Sequence, residues 1–185
     1  MAKVGMVRAD ARENRERILE AARDAFAADG SASTNQIAQR AGVGPGTLYR
    51  HFPTREALVL AVYQHEVARI VDLVPQLLRD HVPVEALRLW TTELVAAMRA
   101  KHGLGHALDP AAQAAVTEQT YDPVIGAITT LLDAGKSDGS IRGDADAADF
   151  LQLTGALWRA ASGPEDRSPR LLALVLDGLR PPPAR

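Results

Sequence analysis

The sequence predicts an all-α chain of about nine helices, and three observations carry that reading. Alanine and leucine dominate while β-branched runs stay short. Apolar residues recur at spacings of three and four rather than two. The tail Pro181-Pro182-Pro183 cannot continue a helix and so ends the fold. The 185 residues are 46% hydrophobic, enough to build a core. No apolar run reaches the ~18 residues of a membrane span, and Met1 to Asp10 lacks a secretory apolar run. With zero cysteines there is neither a disulfide framework nor a thiolate metal site, and cytoplasmic residence is the expectation.

The net charge of −2 hides an asymmetry. Residues 1–55 hold nine Lys/Arg against six acids, whereas the remainder holds 12 against 17. A basic segment on an acidic body suits a nucleic-acid contact at one end.

Taken in order, a first helix is expected from Arg12 to Asp29, with Ile18, Ala22, Ala25 and Phe26 on one stripe. Asp10 with Glu13, or Asn14, would start it, and Gly30 would end it. A second helix spans Thr34 to Ala41, opened by a Ser33/Gln36 capping box and stopped by Gly42, with Val43 as the apolar plug of the turn. A third runs from Pro45 to His51, proline having no amide proton to lose at the first helical position. Two short helices about a glycine-containing turn form a helix-turn-helix, whose second helix enters the DNA major groove. Gly44, Pro45 and Gly46 carry little side chain, so backbone can approach DNA closely. Thr47 suits a base edge or a phosphate, Tyr49 a phosphate, and Arg50 a phosphate or guanine. His51 either orients the helix or touches phosphate. Leu48 and Phe52 read as core, against Ile18, Phe26 and Ile37.

The run Arg17 to Ala22 through Phe26, then Ile37 to Phe52 with its IAxxAGV and GTLYxHF elements, resembles the DNA-binding domain of TetR/AcrR-family regulators. Thr54-Arg55-Glu56-Ala57-Leu58 matches the start of that family's linker helix. The resemblance implies that Thr47, Tyr49 and Arg50 face DNA, that Arg55 touches phosphate, and that Ser33 caps the second helix near phosphate. The candidate DNA-contact set is therefore Ser33, Thr34, Gly44, Pro45, Gly46, Thr47, Tyr49, Arg50, His51 and Arg55. Gly44 and Pro45 depart from the polar residue and lysine usual in the family. Ala86 to Trp90, Lys101 to Leu104, Leu131 to Gly135, Gly139 to Arg142 and Gly155 to Trp158 resemble an actinobacterial-type subset of its ligand domains.

The expected division is a helix-turn-helix domain over 1–55 and a helical ligand-binding and dimerisation domain over 56–185. A long helix from Arg55 carries Leu58, Val62, Tyr63, Val67 and Ile70 inward until Pro75 kinks or ends it. Further helices read as Val84 to Ala100, Pro110 to Gln119, Pro123 to Ala134, Ala145 to Ala161 and Pro169 to Leu179. The last two are apolar around much of their circumference and need cover on two sides. A second copy would supply it through Phe150, Leu153, Leu157, Leu171, Leu174, Val175 and Leu179. A small-molecule pocket between central helices would draw on Trp90, Leu94, Met98, His102, Gln113, Thr117, Tyr121 and Trp158.

No enzyme, cofactor or metal is expected. His102 and His106 have helical metal spacing, but Gly103 and Gly105 break the helix that would align them. His65 to Arg69 lacks the second histidine of HExxH, and no GxSxG occurs. The functional expectation is a homodimeric, operator-binding regulator, a repressor released by a small effector. The alternatives are a ligand-binding helical protein or enzyme whose head has lost DNA binding, a helical adaptor, or an activator.

Overall fold

The computed structural model describes residues 2–28, 32–104, 110–158 and 166–182. Among them every regular element is a helix: α1 (Ala2–Ala28), α2 (Thr34–Arg40), α3 (Pro45–His51), α4 (Arg55–Asp72), α5 (Val74–Asp80), α6 (Pro83–Leu104), α7 (Pro110–Ser137), α8 (Ala147–Thr154) and α9 (Ser168–Gly178). No described helix is long and apolar enough to cross a membrane. The chain divides into two compact units, Met1–His65 with Ala100–Val116, and Glu66–Arg99 with Thr117–Arg185. Helices α4, α6 and α7 each contribute to both.

In the first unit the i, i+4, i+7, i+8 stripe of α1 is buried as its spacing predicts. Ile18, Ala22 and Phe26 join Ile37 and Ala38 of α2, Leu48 of α3, Phe52, and Leu58 and Val62 of α4 in one cluster, each at most 5% exposed. α1 begins well before Arg12. No proline interrupts residues 2–11, so the helix runs through Asp10 and Glu13 instead of being capped by them. Asn14 accepts from the Arg17 guanidinium instead of capping. Gly30 lies outside the described residues.

In the second unit Ile70, Leu87, Trp90, Leu94, Ile128, Leu131 and Phe150 are essentially inaccessible. Trp90 reaches from α6 to α4, its Nε1 donating to Ile70 O at 2.9 Å. α4 stops at Asp72, and Pro75 sits in the first turn of α5. There its missing N–H costs nothing, whereas a continued α4 would drive the ring into the carbonyl of Val71.

Two further expectations need correction. Residues 110–137 form one helix, not two, with Pro123 inside it. The missing hydrogen bond is outweighed because Thr120, Val124, Ala127, Ile128 and Leu131 keep one buried face running through the proline. The helix expected to reach Ala161 ends at Thr154. Thr154 Oγ1 turns back to Phe150 O (2.9 Å), and Gly155 takes the C-cap with its N–H donating to Leu151 O and Gln152 O.

Candidate nucleic-acid interface

The site is built from α2, the turn after it and α3. Ser33 is the N-cap of α2 with extended backbone (φ −78, ψ 153). Its Oγ accepts from Gln36 N (3.3 Å) while Gln36 Oε1 accepts from Ser33 N (2.8 Å), so the capping box forms. At the other end Gly42 adopts φ +66, open to glycine without a Cβ penalty. Gly42 N donates to Gln39 O (3.2 Å) and Val43 N to Ala38 O (3.0 Å), the paired bonds of a Schellman motif. Val43 then packs on the core cluster as the plug. The turn angle is thus fixed by backbone bonds and one apolar contact.

α3 follows with Gly44 as N-cap and Pro45 in its first turn. Leu48 is fully buried and anchors one face. Pro45, Gly46, Tyr49 and Arg50 are exposed, and Thr47 and His51 half-buried. Tyr49 is 47% exposed, with its hydroxyl 3.1 Å from Thr34 Oγ1, so the two hydroxyls of α2 and α3 present together. A Cβ added at Gly44 or Gly46 would meet nothing within 4 Å, so no protein atom occupies the space beside this edge of α3. Thr47, Tyr49 and Arg50 can offer two hydroxyls and a guanidinium to phosphate oxygens or base edges.

Arg55 is placed differently. Its Nη1 donates to Ala32 O and its guanidinium lies 5.0 Å over the Phe26 ring, which ties the start of α4 to the segment before α2. His51 stands 6.2 Å from the Phe52 ring, and Arg15 covers that ring at 5.3 Å. The Arg15 contact leaves no periodic signature in the sequence. Thr54 is a further positioning group, its Oγ1 accepting from Ala57 N (3.1 Å) at the start of α4. An [ST]-x-x pattern ahead of an apolar run signals such a cap.

The described residues among those expected to line an effector pocket differ in burial. Trp90 and Leu94 are core, and the indole N–H is satisfied by backbone. Met98 and Trp158 are half-buried, Thr117 and Tyr121 exposed. The side chains of His102 and Gln113 lie outside the described part, as does His106. Among the described residues no group of three or more His, Asp or Glu could hold a metal.

The apolar face expected for a second copy is more coherent. Leu153, Leu157, Leu171, Leu174, Val175 and Leu179 surround one open concavity of about 360 Å³. Leu153 and Leu174 are 60% and 59% exposed. Phe150 is a correction: at 1% exposure its ring is spent inside the chain's own core, although Leu153, one turn on, is 60% exposed.

Residues 18–62 match the family of bacterial regulatory proteins called tetR, and residues 82–181 match the C-terminal domain of SbtR-like transcriptional regulators. A TetR transcriptional regulator from Streptomyces coelicolor is 43% identical with a TM-score of 0.79, covering 90% of this chain and 98% of its own. A TetR transcription regulatory protein from Mycobacterium vanbaalenii is 37% identical with a TM-score of 0.74, covering 94% and 99%. A helix-turn-helix-type transcriptional regulator of Staphylococcus aureus is 39% identical over 77 residues, 40% of this chain, which thereby spans 42% of that relative's length. With both parts of the sequence matched in order and solved relatives aligned over nearly their whole length, the chain belongs to the TetR family of transcriptional regulators.

Proposed function

We propose that the protein is a cytoplasmic repressor that binds a near-palindromic operator as a homodimer and is released by a small apolar or amphipathic molecule. The observation that carries the DNA-binding part is the outward face of α3, where Tyr49 and Arg50 are exposed and Thr47 half-exposed on a helix anchored by buried Leu48. Such a helix suits the major groove, and two of them one DNA turn apart suit successive half-sites. The exposed leucines of α8 and α9 support the pairing. A released state requires that the effector bind it more tightly than the DNA-bound state.

The test is a gel shift with the DNA upstream of the protein's own gene. Wild-type protein shifts that fragment and Arg50→Ala shifts it only at about tenfold or more higher protein concentration, while the circular dichroism of the two agrees. A wild-type protein that leaves the fragment unshifted points to a head without DNA binding, with Gly44 and Pro45 as the first residues to revert. Repression and release are then read from a reporter behind the same fragment, with and without cell extract.

A further inference from the structure

The connection between α8 and α9 is closed by a single side chain from α6. Arg99 donates from Nη1 to Asp166 Oδ2 (2.7 Å) and from Nη2 to Asp166 Oδ1 (2.9 Å), a two-pronged pair. Nη2 also donates to Leu157 O (3.1 Å). Leu157 and Asp166 flank residues 158–165, so one guanidinium holds both ends of the segment that joins the helices. Asp166 is committed in turn to α9, its Oδ1 accepting from Ser168 N (2.9 Å) at the start of that helix. The Arg99 and Asp166 side chains are 21% and 25% exposed, which shields the pair from much of the screening that weakens surface ion pairs.

Apolar packing does not fix this contact on its own. One and two turns N-terminal to Val95 the α6 face opens toward α9 into a cavity of about 210 Å³, lined by Arg88, Thr92, Leu172 and Ala173 among others. An unfilled seam leaves the separation of α6 and α9 poorly determined by van der Waals contact. Arg99 lies on the same α6 face one turn past Val95, which lines that cavity. Leu157 borders both this cavity and the concavity of the α8–α9 face, so a shift at the seam reaches that face.

We propose that the Arg99–Asp166 clamp is a positioning device that presets α8 and α9 for docking of a second copy, and that loosening it lowers dimer affinity. The inference rests on the homodimer reading. Arg99 and Asp166 do not line the concavity themselves, so they act through Leu157 and α9.

The experiment compares the dimer dissociation constant by sedimentation, alongside thermal melting, for full-length wild type, Asp166→Asn, the charge-reversed Arg99→Asp/Asp166→Arg, and Gly135→Ala. The last destabilises the same unit away from the clamp. Asp166→Asn raises the dissociation constant about tenfold, the reversed pair, which restores the ion pair but neither the Leu157 nor the Ser168 bond, recovers only part of it, and Gly135→Ala stays within about twofold at a comparable loss of melting temperature. If Asp166→Asn does not fold, Arg99→Lys, which keeps the charge but loses the fork, moves the constant in the same direction. A wild-type dimer whose affinity is unchanged in Asp166→Asn and Arg99→Lys, or lowered equally in Gly135→Ala, overturns the clamp alone. A wild-type protein that stays monomeric at every concentration overturns the dimer reading and the clamp with it.

Discussion

Arg50 and Arg55 bracket the end of α3 and meet different surroundings. Arg50 is exposed, while Arg55 is spent on Ala32 O and the Phe26 ring. Arg50→Ala should therefore weaken operator binding by about 1–3 kcal/mol with an unchanged melting curve. Arg55→Ala should lower the melting temperature as well, since it removes packing along with charge; fluorescence anisotropy and calorimetry on the two variants separate these outcomes. Asp166 adds a pH signature. The Arg99 guanidinium, then the Ser168 bonds, hold its carboxyl well below the ordinary 3.8. Its contribution to stability is complete above that ordinary value and disappears as acid protonates it in the folded state. Acid titration of melting temperature should show wild type losing its advantage over Asp166→Asn below about pH 4. At this scale the sequence was legible where a residue's role is local. Ser33 and Gln36 form a capping box from their spacing alone, and Gly42 takes the positive φ expected after a helix. Trp90 shows the limit, because the partner of its indole is the carbonyl of Ile70 on another helix, which no local pattern discloses.

Among the elements, the two helices of the helix-turn-helix were read most accurately, whereas the short α5 was not anticipated and α8 was drawn too long. α3 occupies the span its Pro45 and Phe52 imply, and α4 stops ahead of Pro75. The errors arose where burial overrode a local signal, as at Pro123, or where a break lacked a strong one, as at Gly155. The α7 terminus provides a sharp test of packing. Ile141 N donates to Gly135 O (2.9 Å), and a Cβ at Gly135 would come within 2.5 Å of Ile141 Cδ1. Gly135→Ala must displace that buried isoleucine, an overpacking cost of about 1–3 kcal/mol. Thermal unfolding should register it, and Gly135→Ala/Ile141→Val should recover little of the loss, because valine keeps the Cγ1 that lies 2.6 Å from the added methyl.

For the whole molecule, the charge asymmetry and the residual apolar face bear on the two pairings proposed above. Leu153 and Leu174 are 60% and 59% exposed beside the buried Phe150 and Leu172, the kind of apolar patch that a partner would cover. Leu174→Arg should leave the monomer folded, weaken self-association by about 2 kcal/mol or more, and carry operator affinity down with it. Size-exclusion light scattering and anisotropy would check the two effects, and normal operator affinity in a monomeric variant would refute the link. For a proposed effector site the sequence discriminates least, because aromatic residues at helical spacing, such as the fully buried Trp90, satisfy packing as readily as they line a cavity.

The brevity of α3 has a practical corollary for anyone hoping to transplant it. Two turns of helix lie far below the ~12–15 residues that hold together unaided in water. Its order is borrowed from the residues gripping Leu48, so a synthetic peptide spanning 34–52 should give a coil spectrum and no sequence preference. Grafting this chain's DNA preference onto another scaffold therefore means carrying Ile18, Phe26 and Leu58 along with the outward-facing groups.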